Sequence, residues 1–146
     1  MAQFVVDASV ALSWFFRDEE SELSERLFAM TDDHQLLVPP HWFSEVANGM
    51  RKGEMRGRCS EDDAPSFIAL LGRMRYAIDR LAPFAQFDMI LPLAREHALT
   101  VYDAIYLHLA MTSRAPLATF DKRLASAARN VGVEVFGMGV IKKGQQ

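Results

Sequence analysis

Four acidic residues occupy places where carboxylates can act together. Asp7 ends the apolar run Phe4-Val5-Val6 and opens Asp7-Ala8-Ser9, and Asp121 ends the run Pro116-Leu117-Ala118-Thr119-Phe120. Asp103 follows Thr100 by three positions at the head of an apolar segment, and Glu45 lies in the segment after Pro39-Pro40. Carboxylates brought close together cannot all stay ionised without a cation, because like charges raise each other's pKa and burial adds to the cost. A divalent ion resolves that conflict. With no Cys or His cluster alongside, oxygen-only ligands favour Mg2+ or Mn2+ over zinc. Such an ion keeps several waters, and one of them can attack a phosphodiester while the metal offsets charge on the transferring phosphoryl group.

Each acid also has a plainer role open to it. Asp7 reads as an N-cap for the helix that follows, with Ser9 adding a local hydrogen bond, and Asp121 reads the same way with Thr119 as neighbour. Asp103, three residues after Thr100, has nearly the spacing of a capping box. The helix beyond it offers almost no polar face, so its carboxylate is expected to enter the interior or a cleft and to need a partner there. Periodicity alone puts Glu45 toward solvent, on the side it shares with Asn48. His34, His41, His97 and His108 are scattered without a metal-ligand spacing and read as structural or surface residues; only His41, beside Pro40, lies near one of these segments.

The elements that must position these residues are short strands alternating with helices. Residues 4–6 form a strand and 8–16 a helix; a second, amphipathic helix covers 21–30 through Leu23, Leu27 and Phe28; residues 36–38 form a strand stopped by two prolines. Trp42, Phe43, Val46, Ala47 and Met50 fall on one helical face, and Gly53 is expected to end that segment. Ser60 is a plausible cap for a helix over 61–74. Residues 76–81 are ambiguous, with a third strand one possibility; 87–98 read as helix, and 102–111 as a helix apolar nearly all round, as in a domain interior. A strand at 116–120, a helix at 122–130 and a last strand at 133–136 repeat the opening pattern. The expected fold is a three-layer α/β/α domain, doubly wound, with a short parallel sheet flanked by helices, in which ligands bind beyond the carboxyl ends of the strands. Asp7 and Asp121 sit at such ends.

Composition sets the outer limits. At 146 residues, 50% hydrophobic and 24% charged, the chain is expected to be one domain spanning 1–146, with its core at about 4–136 and a short tail at 137–146. The single cysteine, Cys59, forms no internal bridge, which suits a reducing cytoplasm. The apolar stretch ending at Phe16 is far shorter than the ~18 residues a membrane span requires, so a soluble protein without membrane association is expected. A net charge of -3 excludes nucleic-acid binding by bulk positive charge but leaves room for a local patch. An acidic run from Arg17 to Asp33 is followed by a basic one, Arg51, Lys52, Arg56 and Arg58 against Glu54 alone, with Arg73, Arg75 and Arg80 beyond. These are either solvated surface or a rim that holds phosphates.

Four blocks in fixed order carry a resemblance. Phe4-Val5-Val6-Asp7-Ala8-Ser9, Val38-Pro39 leading to Glu45-Val46-Ala47-Asn48, Tyr102-Asp103-Ala104-Ile105-Tyr106-Leu107, and Leu117-Ala118-Thr119-Phe120-Asp121-Lys122-Arg123-Leu124 resemble the ordered motifs of PIN-domain ribonucleases. Within that superfamily the chain is most similar to the VapC toxins of type II toxin–antitoxin pairs. The resemblance implies a PIN-like fold and a Mg2+- or Mn2+-dependent endoribonuclease with catalytic positions Asp7, Glu45, Asp103 and Asp121. It makes Asp7 and Asp103 the direct metal ligands, Glu45 and Asp121 the holders of metal-bound water or a second ion, and Ser9, Thr119 and Asn48 polar support. It further implies transfer or ribosomal RNA as substrate, 3′-hydroxyl and 5′-phosphate products, a homodimer, and a cognate antitoxin in a groove near the early helices, where Trp14, Phe15 and Phe16 offer an aromatic wall. Phe120 departs from the pattern, which places a small aliphatic residue before the last acid. Two other readings stay open: a non-catalytic α/β binding module that keeps the PIN scaffold, and an aspartyl phosphotransferase with Asp7 as nucleophile, which Ser9 disfavours because a second acid is usual there.

Overall fold

The computed structural model describes residues 1–137; the rest of the tail expected at 137–146 lies outside the described residues. Five parallel strands, β1 (Ala2–Val6), β2 (His34–Val38), β3 (Tyr76–Ile78), β4 (Leu117–Thr119) and β5 (Val135–Gly137), form one sheet in the order β3-β2-β1-β4-β5. Phe4, Val5 and Val6 are fully buried because β1 is the middle strand, with Val5 beside Leu37 of β2 and Leu117 of β4. The chain winds outward from β1 through β2 to β3, then crosses to the other side of β1 for β4 and β5. Strand order therefore reverses between β1 and β4, and a crevice opens beyond their carboxyl ends.

Seven α-helices flank the sheet: α1 (Ala8–Phe15), α2 (Glu22–Met30), α3 (His41–Met55), α4 (Ala64–Gly72), α5 (Leu91–His97), α6 (Val101–Ser113) and α7 (Lys122–Asn130). The apolar α6 buries Ala104, Ile105, Tyr106, Leu107, Leu109 and Ala110 and crosses β1, β2 and β4. The three-layer α/β/α reading of the sequence, a short parallel sheet flanked by helices, is the observed architecture.

Several boundaries differ from expectation for identifiable reasons. Gly53 does not end α3, which continues to Met55 and is closed by Gly57 at a φ of +72°. Gly53 is a packing residue: a Cβ there would stand 2.5 Å from Phe16 Cζ, and one on Gly49 would stand 2.3 Å from Leu12 Cδ1. These two glycines, one turn apart, let α1 lie directly on α3. The buried face of α3 is narrower than the pattern suggests, with Trp42, Val46 and Met50 inside but Phe43 and Ala47 exposed. The helix expected at 61–74 is split into a 3-10 turn at Glu61–Asp63 and α4, because Pro65 has no N–H to return to Glu61. Likewise Pro92 has no N–H for Asp88, and the segment expected as one helix at 87–98 is a wider π turn at Gln86–Ile90 followed by α5. β3 stops at Ile78, and the last two strands are shorter than expected, three residues each.

Candidate active site

The crevice between β1 and β4 is built around Asp7, only 4% exposed. Leaving β1, the chain turns into α1 with Asp7 as its N-cap, and Oδ1 accepts the Val10 N–H at 3.2 Å and the Ser9 hydroxyl at 2.6 Å. Oδ2 accepts the hydroxyl of Thr119, the last residue of β4. Thr119 Oγ1 in turn accepts the Asp121 N–H at 2.9 Å, and Ser9 Oγ accepts the Phe120 N–H at 3.2 Å. Two hydroxyls thus join the ends of β1 and β4. Asp121 caps α7, its Oδ1 accepting the N–H groups of Arg123 at 2.8 Å and Leu124 at 3.1 Å. The bulky Phe120 packs its ring against the core while its backbone serves Ser9.

The helices bring the other two acids. Glu45, one turn into α3, is half-buried rather than solvent-facing as its periodicity suggested, and its Oε1 accepts the Tyr106 hydroxyl at 2.6 Å. Asp103 lies in the first turn of α6, where its N–H donates to Oγ1 of the cap residue Thr100 at 3.1 Å, and its carboxylate is half-buried. His41, read from sequence as structural or surface, stands beside the site: Nε2 is 3.4 Å from Glu45 Oε1, and the ring lies 5.1 Å from that of Tyr106 and 5.3 Å from that of Tyr102. Tyr106 itself was missed as a site residue. Its one sequence signal is a hydroxyl one turn after Asp103 on an otherwise apolar helix.

Charge ties the group together. Burial is the largest cause raising Asp7 from its ordinary 3.8 to about 6, offset in part by the hydrogen bonds from Ser9, Thr119 and Val10, with Asp103 adding repulsion. Asp103 is also raised to about 6, first by burial and then by Asp121 and Glu45. Burial raises Glu45, opposed by the Tyr106 hydroxyl, and lowers His41. Tyr106 is held firmly protonated by burial, by its bond to Glu45, and by the charges of Glu45, Asp7 and Asp103.

Not every residue singled out in the sequence joins this group. Asn48 is exposed, one turn beyond Glu45 on α3. Arg58 is committed elsewhere, donating to Asp18 at 2.8 Å and Glu19 at 2.9 Å with its guanidinium 3.9 Å over the Phe16 ring. Arg51 pairs with Glu54 at 3.2 Å, whereas Lys52 and Arg56 are exposed. The basic rim and the acidic run are thus partly partners of each other.

The donors fit a hard divalent ion in kind: oxygen ligands only, two of them pushed toward neutrality by lost hydration and mutual repulsion that a cation would relieve. Among the described residues no three His, Cys, Asp or Glu side chains form a ready-made cage.

Carboxylates gathered at the switch point of a doubly wound sheet define a class of hydrolytic site, and residues 4–130 match the PIN domain. Ribonuclease VapC3 of Pyrobaculum aerophilum is 32% identical over 124 residues, covering 84% of this chain and 92% of that relative. The crystal structure of PAE2754 from Pyrobaculum aerophilum superposes with a TM-score of 0.67 at 21% identity, over 99% of this chain and 91% of the other. VapBC2 from Rickettsia felis, solved with a DNA fragment from its promoter, gives 0.64 at 10% identity over 92% and 98% of the two chains. The chain belongs to the PIN-domain family and, within it, to the VapC ribonucleases.

Proposed function

We propose that this protein is the toxin of a toxin–antitoxin pair, an endoribonuclease that hydrolyses RNA phosphodiesters with the help of Mg2+ or Mn2+. The observation that carries the reading is the hydrogen-bonded join of Asp7 through Thr119 to the Asp121 backbone, beside the Tyr106–Glu45 bond, with Asp103 repelling Asp7 and repelled by Glu45 and Asp121. Acids from the end of β1, α3, α6 and the end of β4 are thus near enough to repel one another, which caps alone do not require. Asp7 and Asp103 are the residues to hold the ion, and Glu45 and Asp121 to hold its water or a second ion. When bound, the ion supplies an activated water and positive charge opposite the phosphoryl group. Ser9 and Thr119 fix the orientation of Asp7, and the neighbouring carboxylates accept the proton that leaves the water.

The substrate, transfer or ribosomal RNA in this reading, meets the site along α3. His41, Glu45, Asn48, Lys52 and Arg56 follow one another at steps of three or four residues and so share a helix face, leading from the acids to two exposed cations. Arg51 and Arg58, already paired, are the weaker half of the proposed RNA rim. The antitoxin suits a groove of about 740 Å³ lined by Trp14, Phe15, Phe16, Phe67 and Leu70 with Arg58 at its edge. An amphipathic helix would fill it with its apolar face. Phe84, Phe87 and Met89, exposed before α5, offer a second copy an apolar surface for the homodimer. Among the described residues no helix is long and apolar enough to cross a membrane, and a toxin acting on cellular RNA works in the cytoplasm.

The test is cleavage of total RNA by purified protein freed of antitoxin, wild type beside Asp7→Asn, with Mg2+, with Mn2+ and with chelator. Discrete cuts that need the ion and vanish in the variant are expected. A folded wild type that cuts nothing returns the protein to a binding module on a PIN scaffold.

A further inference from the structure

Glu45 and Asp103 reach the site from different helices, and one side chain links them. Tyr106 lies one turn after Asp103 on α6, is 1% exposed, and donates its hydroxyl to Glu45 Oε1 at 2.6 Å across 61 positions of sequence. Its ring is fixed by the surrounding core and by the edge of His41 at 5.1 Å, so the hydroxyl has little freedom to turn elsewhere. The donor occupies one oxygen of the carboxylate and leaves Oε2 for the site.

We propose that Tyr106 is the positioning residue of this centre: by pinning Glu45 Oε1 it sets, through the rigid turn of α6, where Glu45 stands relative to Asp103. This inference rests on the ion-dependent reading above and adds a residue to it. A half-exposed glutamate on a helix surface would otherwise sample several rotamers, and each would present a different distance to the ion. Tyr106 touches neither ion nor substrate in this arrangement and acts through Glu45. The firmly protonated state of the phenol agrees with a fixed donor.

Tyr106→Phe removes one oxygen and keeps the ring. The experiment titrates Mn2+ into the full chain by calorimetry and measures RNA cleavage and RNA affinity in parallel. Loss of the partner that orients Glu45, the holder of the ion's water or of a second ion, is expected to weaken ion binding and lower kcat by about 10-fold or more, with RNA affinity unchanged. In a Glu45→Ala background, Tyr106→Phe is expected to weaken Mn2+ binding no further, a coupling that a merely structural tyrosine would not show. Wild-type ion affinity and kcat in Tyr106→Phe would overturn the proposal. Should that variant not fold, Glu45→Asp withdraws the carboxylate from the hydroxyl while keeping its charge; unchanged Mn2+ affinity there overturns the proposal too. If the wild type binds Mn2+ but cuts no RNA, the nuclease reading fails while the ion titration still decides the role of Tyr106. A wild type that binds no divalent ion removes both.

Discussion

Thr119 donates a hydroxyl hydrogen bond to Asp7 and accepts one from the backbone N–H of Asp121, so a single buried side chain couples the acids at the ends of β1 and β4. Thr119→Val keeps the shape and deletes both bonds, leaving a buried carboxylate oxygen and an N–H without partners. The expected cost is about 1–3 kcal/mol in urea unfolding. Cleavage is expected to fall by about 10-fold or more, with Thr119→Ser restoring most of it.

Asp7 makes stability depend on pH in an unusual direction. The unfolded chain releases this proton near 3.8 and the folded one near 6, so the folded state binds more protons in between. The contribution of Asp7 to stability is therefore greatest below about 4, falls as pH rises to about 6 and stays lower above, a difference on the order of 3 kcal/mol. Asp7→Asn keeps an acceptor for the Val10 N–H and removes the charge. In thermal melts without divalent ions it is expected to match or exceed the wild type at pH 7.5 and to lose that advantage near pH 4. A variant less stable at every pH would mean that Asp7 is only a cap. Adding Mg2+ or Mn2+ should raise the melting temperature of the wild type and leave Asp7→Asn unmoved.

The cations of α3 and of the turn that follows it should separate by salt dependence. Lys52→Ala and Arg56→Ala are each expected to reduce the slope of log affinity for RNA against log salt by about 1. Arg58→Ala, whose charge is already spent on Asp18 and Glu19, should leave that slope in place.

Gly53→Ala tests the contact of α1 with α3. Its new methyl group meets the buried Phe16 ring at 2.5 Å, so the ring or the helix must move. The expected loss is about 1–3 kcal/mol in urea unfolding, with cleavage by the folded fraction retained.

The sequence revealed the strands and the acids at their ends more readily than the helix boundaries or the partner side chains. The runs at Phe4 and Leu117 are continuous apolar segments cut off by an acid, a pattern that a central parallel strand followed by a capped helix produces directly. Helix ends were blurred because Pro65 and Pro92 lie just inside apolar-periodic segments, which change helix type there without changing polarity. Gly53 misled because glycine ends helices and also permits close packing, and only the position of Phe16 separates the two. Glu45 was legible through the ordered motifs and not through periodicity, because what draws it inward is Tyr106 on another helix. That tyrosine carried only the weak signal of a hydroxyl one turn after Asp103, since a buried aromatic at helical spacing reads as core.

The crowding of Asp7 and Asp103 has a consequence for the history of such a chain. Both carboxylates are held against their preference, so in the proposed site replacing either one with its amide relieves repulsion as it disarms the chemistry. Amide substitutions, which keep a hydrogen-bond acceptor, are therefore expected to cost little stability here, unlike most substitutions in a protein interior. On the proposed function, it is the activity, more than the fold, that asks for an acid at these two positions.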